Sequence, residues 1–210
     1  MMNLFKILKL SNFLFFFIAC NSSSSFDDEN LNSINEDIII GENQNLNANS
    51  SDQTQFTLLA LGDSYTIGEG VDEDQRWPNQ FIQVAYENGV DFISSRIIAE
   101  TGWKSNDLIN AIESSNFDKK YDYISLLIGV NNQFNSKPVN EFKNDLDKLL
   151  IKINNLKKKN GSVLIISIPD WGSSPFGLGF DRNEISNEIN TFNNSLKSFA
   201  NNNGLNYVDV

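Results

Sequence analysis

The residues best suited to chemistry fall in four short stretches: Gly62-Asp63-Ser64-Tyr65, Glu100-Thr101-Gly102-Trp103, Gly129-Val130-Asn131-Asn132 and the Gly-, Pro- and aromatic-rich run Pro169–Phe180. A glycine two residues before a serine permits a tight turn that leaves the Ser64 hydroxyl exposed. Gly102 lets the main chain approach a ligand closely, and Asn131 offers a side-chain N–H without a charge to desolvate. Read singly, the same residues also serve as a turn, a loop glycine and a local cap. The chain contains no histidine, so no imidazole can act as base, acid, pH switch or metal ligand. That matters because serine is a poor nucleophile until a base takes its proton. The single cysteine, Cys20, excludes an internal disulfide and any cysteine-cluster metal site. Asp72-Glu73-Asp74 reads as a solvated acidic loop rather than a calcium site, and no metal or cofactor is expected.

Those stretches need elements to hold them. From Phe56 onward, short apolar runs alternate with helical patterns, the signature of βαβ units and a parallel sheet. Strands are expected over Phe56–Leu61, Ser94–Ala99, Tyr123–Ile128, Val163–Ile168 and Leu205–Val210. Between them fall helices over Pro78–Asn88, Asn106–Glu113, Pro138–Lys159 and Arg182–Asn202, with Asp181 capping the last. Lys157-Lys158-Lys159 reads as a basic helix C-terminus favoured by the macrodipole. The fold class is therefore a five-stranded parallel α/β sandwich. In such sheets sites form beyond the carboxyl ends of the strands, where all four stretches fall.

The first 55 residues are different. Lys6 and Lys9 precede the apolar run Phe13–Ala19, which is too short for a bilayer span of about 20 residues. Ala19-Cys20 followed by Asn21-Ser22-Ser23 resembles a bacterial lipoprotein signal, with Cys20 lipidated, although Phe17 stands where Leu is usual. Residues 21–55 hold seven acids and no base, and form a Ser/Asn-rich tether with a reach of roughly 30–35 Å. Residues 56–210 carry −6 of the net −11, with no basic stripe, which argues against nucleic-acid binding. The expectation is a monomer in the cell envelope, lipid-anchored through Cys20 to a bacterial membrane.

Gly-Asp-Ser after the first strand, an isolated Gly after the second and Gly-x-Asn after the third together resemble the SGNH/GDSL hydrolases. These are serine esterases, including lysophospholipase-like and carbohydrate-deacetylating enzymes, on a flavodoxin-like three-layer α/β/α sandwich. The resemblance spans about Phe56–Val210 and implies Ser64 as nucleophile. It further implies an oxyanion hole from the backbone N–H groups of Ser64 and Gly102 and the Asn131 amide. Trp171, Phe176 and Phe180 are candidates for lining an acyl or alcohol pocket. Where the family often has Asp after the Gly-x-Asn asparagine, this chain has Asn132.

The family's base is a histidine held by an aspartate three residues earlier, in an Asp-x-x-His block after strand five. Here the fifth strand runs Tyr207-Val208-Asp209-Val210 and the sequence stops. Losing the histidine of a Ser–His pair costs on the order of 10⁶ in turnover. The expectation is thus an SGNH esterase truncated before its last helix and inactive as given. The alternatives are a catalytically dead lipoprotein that binds glycans or lipids, and a tethered structural lipoprotein.

Overall fold

The computed structural model describes residues 55–210; Cys20, the expected lipoprotein signal and all but the last residue of the expected tether lie outside them. Five strands form one parallel sheet: β1 (Gln55–Gly62), β2 (Asp91–Ala99), β3 (Tyr121–Leu127), β4 (Lys157–Ile166) and β5 (Asn206–Val208). Their spatial order is β2-β1-β3-β4-β5. The chain leaves β1 for β2 on one side and then returns to build β3 on the other. The strand order therefore reverses between β1 and β3, and in sheets of this kind such a reversal makes a crevice beyond the carboxyl ends of the two strands.

Four helices of ten residues or more cover the sheet: α2 (Trp77–Glu87), α3 (Ser105–Ser114), α5 (Val139–Leu156) and α6 (Arg182–Asn202). Three lie on one face. Leu108, Ile109 and Ile112 of α3, Phe142, Leu146, Leu149 and Ile153 of α5, and Ile185, Ile189, Phe192 and Leu196 of α6 bury against Leu59, Leu61, Ile124, Leu126, Val163 and Ile165. The i, i+3, i+4 spacing of these residues gives each helix one apolar stripe. Alternate strand residues point the other way, where Leu58, Ala60 and Phe92 meet Trp77, Phe81 and Ala85 of α2. Helices on both faces of a five-stranded parallel sheet make the expected α/β sandwich.

Two boundaries differ from the sequence reading for identifiable reasons. The lysine run is not a helix terminus: α5 stops at Leu156, Lys157 turns to extended backbone, and the lysines begin β4. Lys157 pairs with Tyr121 across the ladder, and Lys158 Nζ sits 2.8 Å from Asp122 Oδ2. A partner strand with a complementary carboxylate thus outweighs the modest macrodipole gain. The second difference is local. The stretches after β1 and β3, read as loops, each begin a short helical turn: α1 (Ser64–Ile67) and α4 (Val130–Phe134). In contrast, α6 begins where Asp181 predicts it, its carboxylate accepting the N–H groups of Asn183 and Glu184.

Candidate active site

Strand register places the candidate residues on one edge. Gly62, the last residue of β1, pairs with Ala99 of β2 and Leu127 of β3. Ser64, Gly102 and Asn131 then follow within four residues of those strand ends, around the crevice at the reversal point. Ser64 is the first residue of α1, so its N–H belongs to the turn that has no acceptor within the helix. Neither that N–H nor the N–H of Gly102 donates to another protein group among the described residues. Gly102 has φ +83°, a conformation that costs an L-residue strain, and open space lies where a Cβ would stand. Both are free main-chain donors at the mouth of the crevice.

Asn131 brings a third. Its Nδ2 donates to the Trp103 carbonyl at 2.9 Å, which fixes the amide plane and leaves its second N–H for a ligand. The loop before Trp103 is held in turn by a hydrogen bond from Thr101 Oγ1 to Glu69 Oε2, just past α1. Preorganised neutral donors of this kind suit an oxygen that gains charge during reaction. The Ser64 hydroxyl, half-buried at the same edge, has no hydrogen-bond partner among the described residues. A hydroxyl without a neighbouring acceptor cannot be deprotonated from within this arrangement.

Asp63 sits beneath the serine, fully buried. Its Oδ1 caps α1 by accepting the N–H of Tyr65 at 3.1 Å, while Oδ2 has no partner. Burial pushes its carboxyl up to about 7, with the N–H groups of Tyr65 and Gly129 pulling partly back. Tyr65 is likewise pushed up to about 12 by burial, then by the charges of Asp63 and Asp170. The unfolded carboxyl titrates near 3.8. The folded state therefore binds the extra proton, and stability contributed below about pH 4 is lost as pH rises toward 7 and beyond. Asp63→Asn keeps an oxygen for Tyr65 and removes this titration. Relative to the parent chain, the variant should gain about 3–4 kcal/mol on going from pH 4 to pH 8. Urea unfolding at the two pH values measures it; a pH-independent difference would mean that Asp63 does not titrate in this range.

Beyond β4 the aromatic residues form one cluster. Trp171 is 7% exposed and donates its Nε1 to Gln133 Oε1 at 2.8 Å. It forms the floor on which Phe134, Phe176 and Phe180 rest, with ring centroids 5.2–5.6 Å from the indole. Phe176 is 64% exposed. Trp171 thus supports the surface that Phe176 presents, rather than facing solvent beside it. Phe134 was not singled out from the sequence. It lies three residues after Asn131 on α4, the spacing that puts two side chains on one helix face. Asp72 and Asp74 flank and enter a short 3₁₀ turn at Glu73–Gln75, and no group of metal-ligating side chains occurs among the described residues. No helix among them is long and apolar enough to cross a membrane.

Comparison with known proteins gives a consistent picture. The family model described as the GDSL-like lipase/acylhydrolase family matches residues 60–210. No curated protein matches the chain by sequence. The structure is similar to a lipolytic protein of the G-D-S-L family from Veillonella parvula (TM-score 0.58, 19% identity, covering 73% of this chain and 76% of that one). It is also similar to the psychrotrophic esterase EstA from Pseudoalteromonas sp., inhibited by monoethylphosphonate (TM-score 0.56, 15% identity, 73% and 76%). A third is the acetyl xylan esterase AlAXEase (TM-score 0.56, 20% identity, 73% and 76%). At these identities the likeness is one of fold.

Proposed function

Because the chain belongs to the GDSL-like lipase/acylhydrolase family, we propose that its site is that of a serine ester hydrolase acting on acyl esters of lipids or carbohydrates. With its proton passed to a base, Ser64 Oγ would add to the ester carbonyl, forming a C–O bond as the carbonyl π electrons move onto oxygen. The N–H groups of Ser64 and Gly102 and the free N–H of Asn131 would receive that oxygen. Collapse would break the ester C–O bond, the departing oxygen taking up that proton to leave as the alcohol, and would leave an acyl-serine for water to cleave. The observation that carries this reading is that two unpaired main-chain N–H groups and one clamped amide follow the carboxyl ends of three adjacent strands, on the serine's edge of the sheet. The 210 residues hold no imidazole, and Ser64 Oγ has no hydrogen-bond partner among the described residues. The site as it stands can therefore stabilise the oxyanion but not take the serine proton, and we propose that the chain is inactive as given.

Fluorophosphonate labelling separates these two parts, since it needs the nucleophile and the oxyanion donors but reads one slow turnover. At pH 9 Ser64 should slowly acquire one phosphonyl group with loss of fluoride, its proton passing to solvent hydroxide, detected by intact mass. Asn131→Ala should slow that step by about 10²–10³-fold, the usual effect of removing one oxyanion donor. Labelling that persists in Ser64→Ala would remove serine from the role.

A second reading is favoured by the exposed Phe176 surface together with the missing base: a non-catalytic lipoprotein that binds a glycan or lipid ester. Glycan or lipid binding that survives Ser64→Ala but fails in Trp171→Ala, with no Ser64 labelling in the parent, would select it. Under either reading we propose attachment to a bacterial membrane through lipidated Cys20, a location in the cell envelope, and a monomer that requires no cofactor or nucleic acid. Radiolabelled palmitate incorporation lost in Cys20→Ala is the test of the anchor.

A further inference from the structure

Three polar side chains lie buried where α3, α4 and α5 meet, at the base of a polar cleft that Lys104, Lys137, Glu141 and Lys148 also line: Ser105, Asn132 and Asp145. Polar groups in such a place must be paired, and these are paired in one direction. Asn132 Nδ2 donates to Ser105 Oγ at 2.8 Å, and Ser105 Oγ donates to Asp145 Oδ2 at 2.7 Å. Asn132 Oδ1 accepts the Ser105 N–H at 2.9 Å. At the surface end, Lys148 Nζ reaches the other Asp145 oxygen at 3.0 Å. The chain of donors therefore runs amide to hydroxyl to carboxylate, and its polarity is fixed because Asp145 can only accept.

The location of this network gives it a use. Ser105 follows Gly102 by three residues, and Asn132 is the neighbour of Asn131. Together with the Asn131–Trp103 bond, three hydrogen bonds lace residues 103–105 to residues 131–132. Gly102, whose N–H is one proposed oxyanion donor, immediately precedes the first segment, and Asn131, which supplies another, opens the second. Resting on the esterase reading of the site, we infer that Ser105, Asn132 and Asp145 are positioning residues that set the separation between the Gly102 N–H and the Asn131 amide. Asn132 and Asp145 act as one amide–carboxylate pair on either side of a shared hydroxyl.

The pair predicts a reciprocal effect. Asn132→Asp presents two buried carboxylates to a single hydroxyl proton; only one can be satisfied, and like charges face each other. The loops should part. Asn132→Asp combined with Asp145→Asn reverses the chain, with the amide at 145 donating to Ser105 Oγ and Ser105 Oγ donating to the carboxylate at 132. Every buried group is then paired again. Lys148 loses its counter-charge but keeps the amide oxygen at 145 as acceptor, and its side chain, 61% exposed, remains hydrated.

Two readouts on the 210-residue chain test this. The first is the maximal rate of Ser64 labelling by a fluorophosphonate, separated from reagent affinity. Asn132→Asp should lower it about 100-fold, the scale of an ångström's misplacement, while the double variant returns to within a few-fold of the parent. The second is the ¹⁵N NMR position of the Gly102 N–H and the Asn131 side-chain pair, which should move in Asn132→Asp and return in the double variant. A purely structural role would lower the melting temperature without changing the labelling rate of the folded fraction. Resonances that stay in place in Asn132→Asp, or a double variant no better than the single, would overturn the inference. If Asn132→Asp does not fold, Ser105→Ala removes the shared hydroxyl and should move the same resonances; unmoved resonances there overturn it equally. Failure of the parent to label at Ser64 would count against the esterase reading, while the NMR measurement would still decide the clamp.

Discussion

Free imidazole should raise the hydrolysis of p-nitrophenyl acetate by this chain beyond its own reaction with the ester, and that excess should vanish in Ser64→Ala. Without imidazole, turnover should lie about 10⁶-fold below that of a complete Ser–His site, leaving only oxyanion-hole and binding catalysis. The reasoning starts from the serine. Its hydroxyl meets no acceptor among the described residues, and the 210 residues contain no imidazole. The electrophilic half of the site needs no base: two free N–H groups and a clamped amide are in place whether or not a proton can be removed. A base supplied from solution would therefore meet the proposed oxyanion donors already in place. Imidazole also cleaves activated esters by itself, so the quantity to measure is the difference in slope between the parent and Ser64→Ala. It should follow the fraction of neutral imidazole as pH varies. Equal slopes would show that Ser64 is not poised for attack, and rapid turnover without imidazole would show that another group takes the proton.

The second large effect is on stability. Gly62→Ala should destabilise the fold by about 4 kcal/mol, at the upper end of what single substitutions do. A Cβ at this position would stand 2.5 Å from the backbone oxygen of Leu127, and nearer still to Thr66 Oγ1. Neither can move cheaply. Leu127 is the residue paired with Gly62 in the central strand, and Thr66 is buried in α1, whose first residue is Ser64. Relief requires β1 to part from β3 or α1 to lift, and either change spoils the crevice. Since domains are stable by only about 5–15 kcal/mol, the melting temperature of the variant should fall by roughly 8–16 °C. Gly102→Ala makes a useful contrast. Its Cβ meets nothing, so the cost is confined to the positive φ, about 1–2 kcal/mol. Thermal unfolding of the two variants side by side distinguishes a steric position from a conformational one. A Gly62→Ala chain that melts with the parent would mean that the close approach is not present in solution.

The alternation of strands and helices is legible in the sequence because each element has a single job. β3 is apolar almost throughout, as a strand covered on both faces must be, and α6 announces its start with Asp181. The candidate site is legible as types in order, since serine, glycine and asparagine each follow a strand. What could not be read is what a distant partner decides. Lys157–Lys159 resemble a helix end until Tyr121 and Asp122 are found beside them. Asn132 reads as a departure from a family pattern; the structure pairs it through Ser105 with Asp145, thirteen residues later on another helix. Asp145 itself sits between Phe142 and Leu149 at the edge of the apolar stripe of α5. A carboxylate at a core-facing position was the available signal, and nothing local says which group it meets.

The strand order also bears on how the molecule is assembled as it is synthesised. β1 and β2 pair first, β3 then adds to the open side of β1, and β4 and β5 each add to the strand made just before them. No later strand has to wedge between two that are already bonded. Growth by edge addition keeps sequence separations short and avoids the slow step of reopening a formed ladder. The three proposed oxyanion donors all precede β4. The crevice can therefore take shape around the first three strands while the outer half of the sheet is still to come.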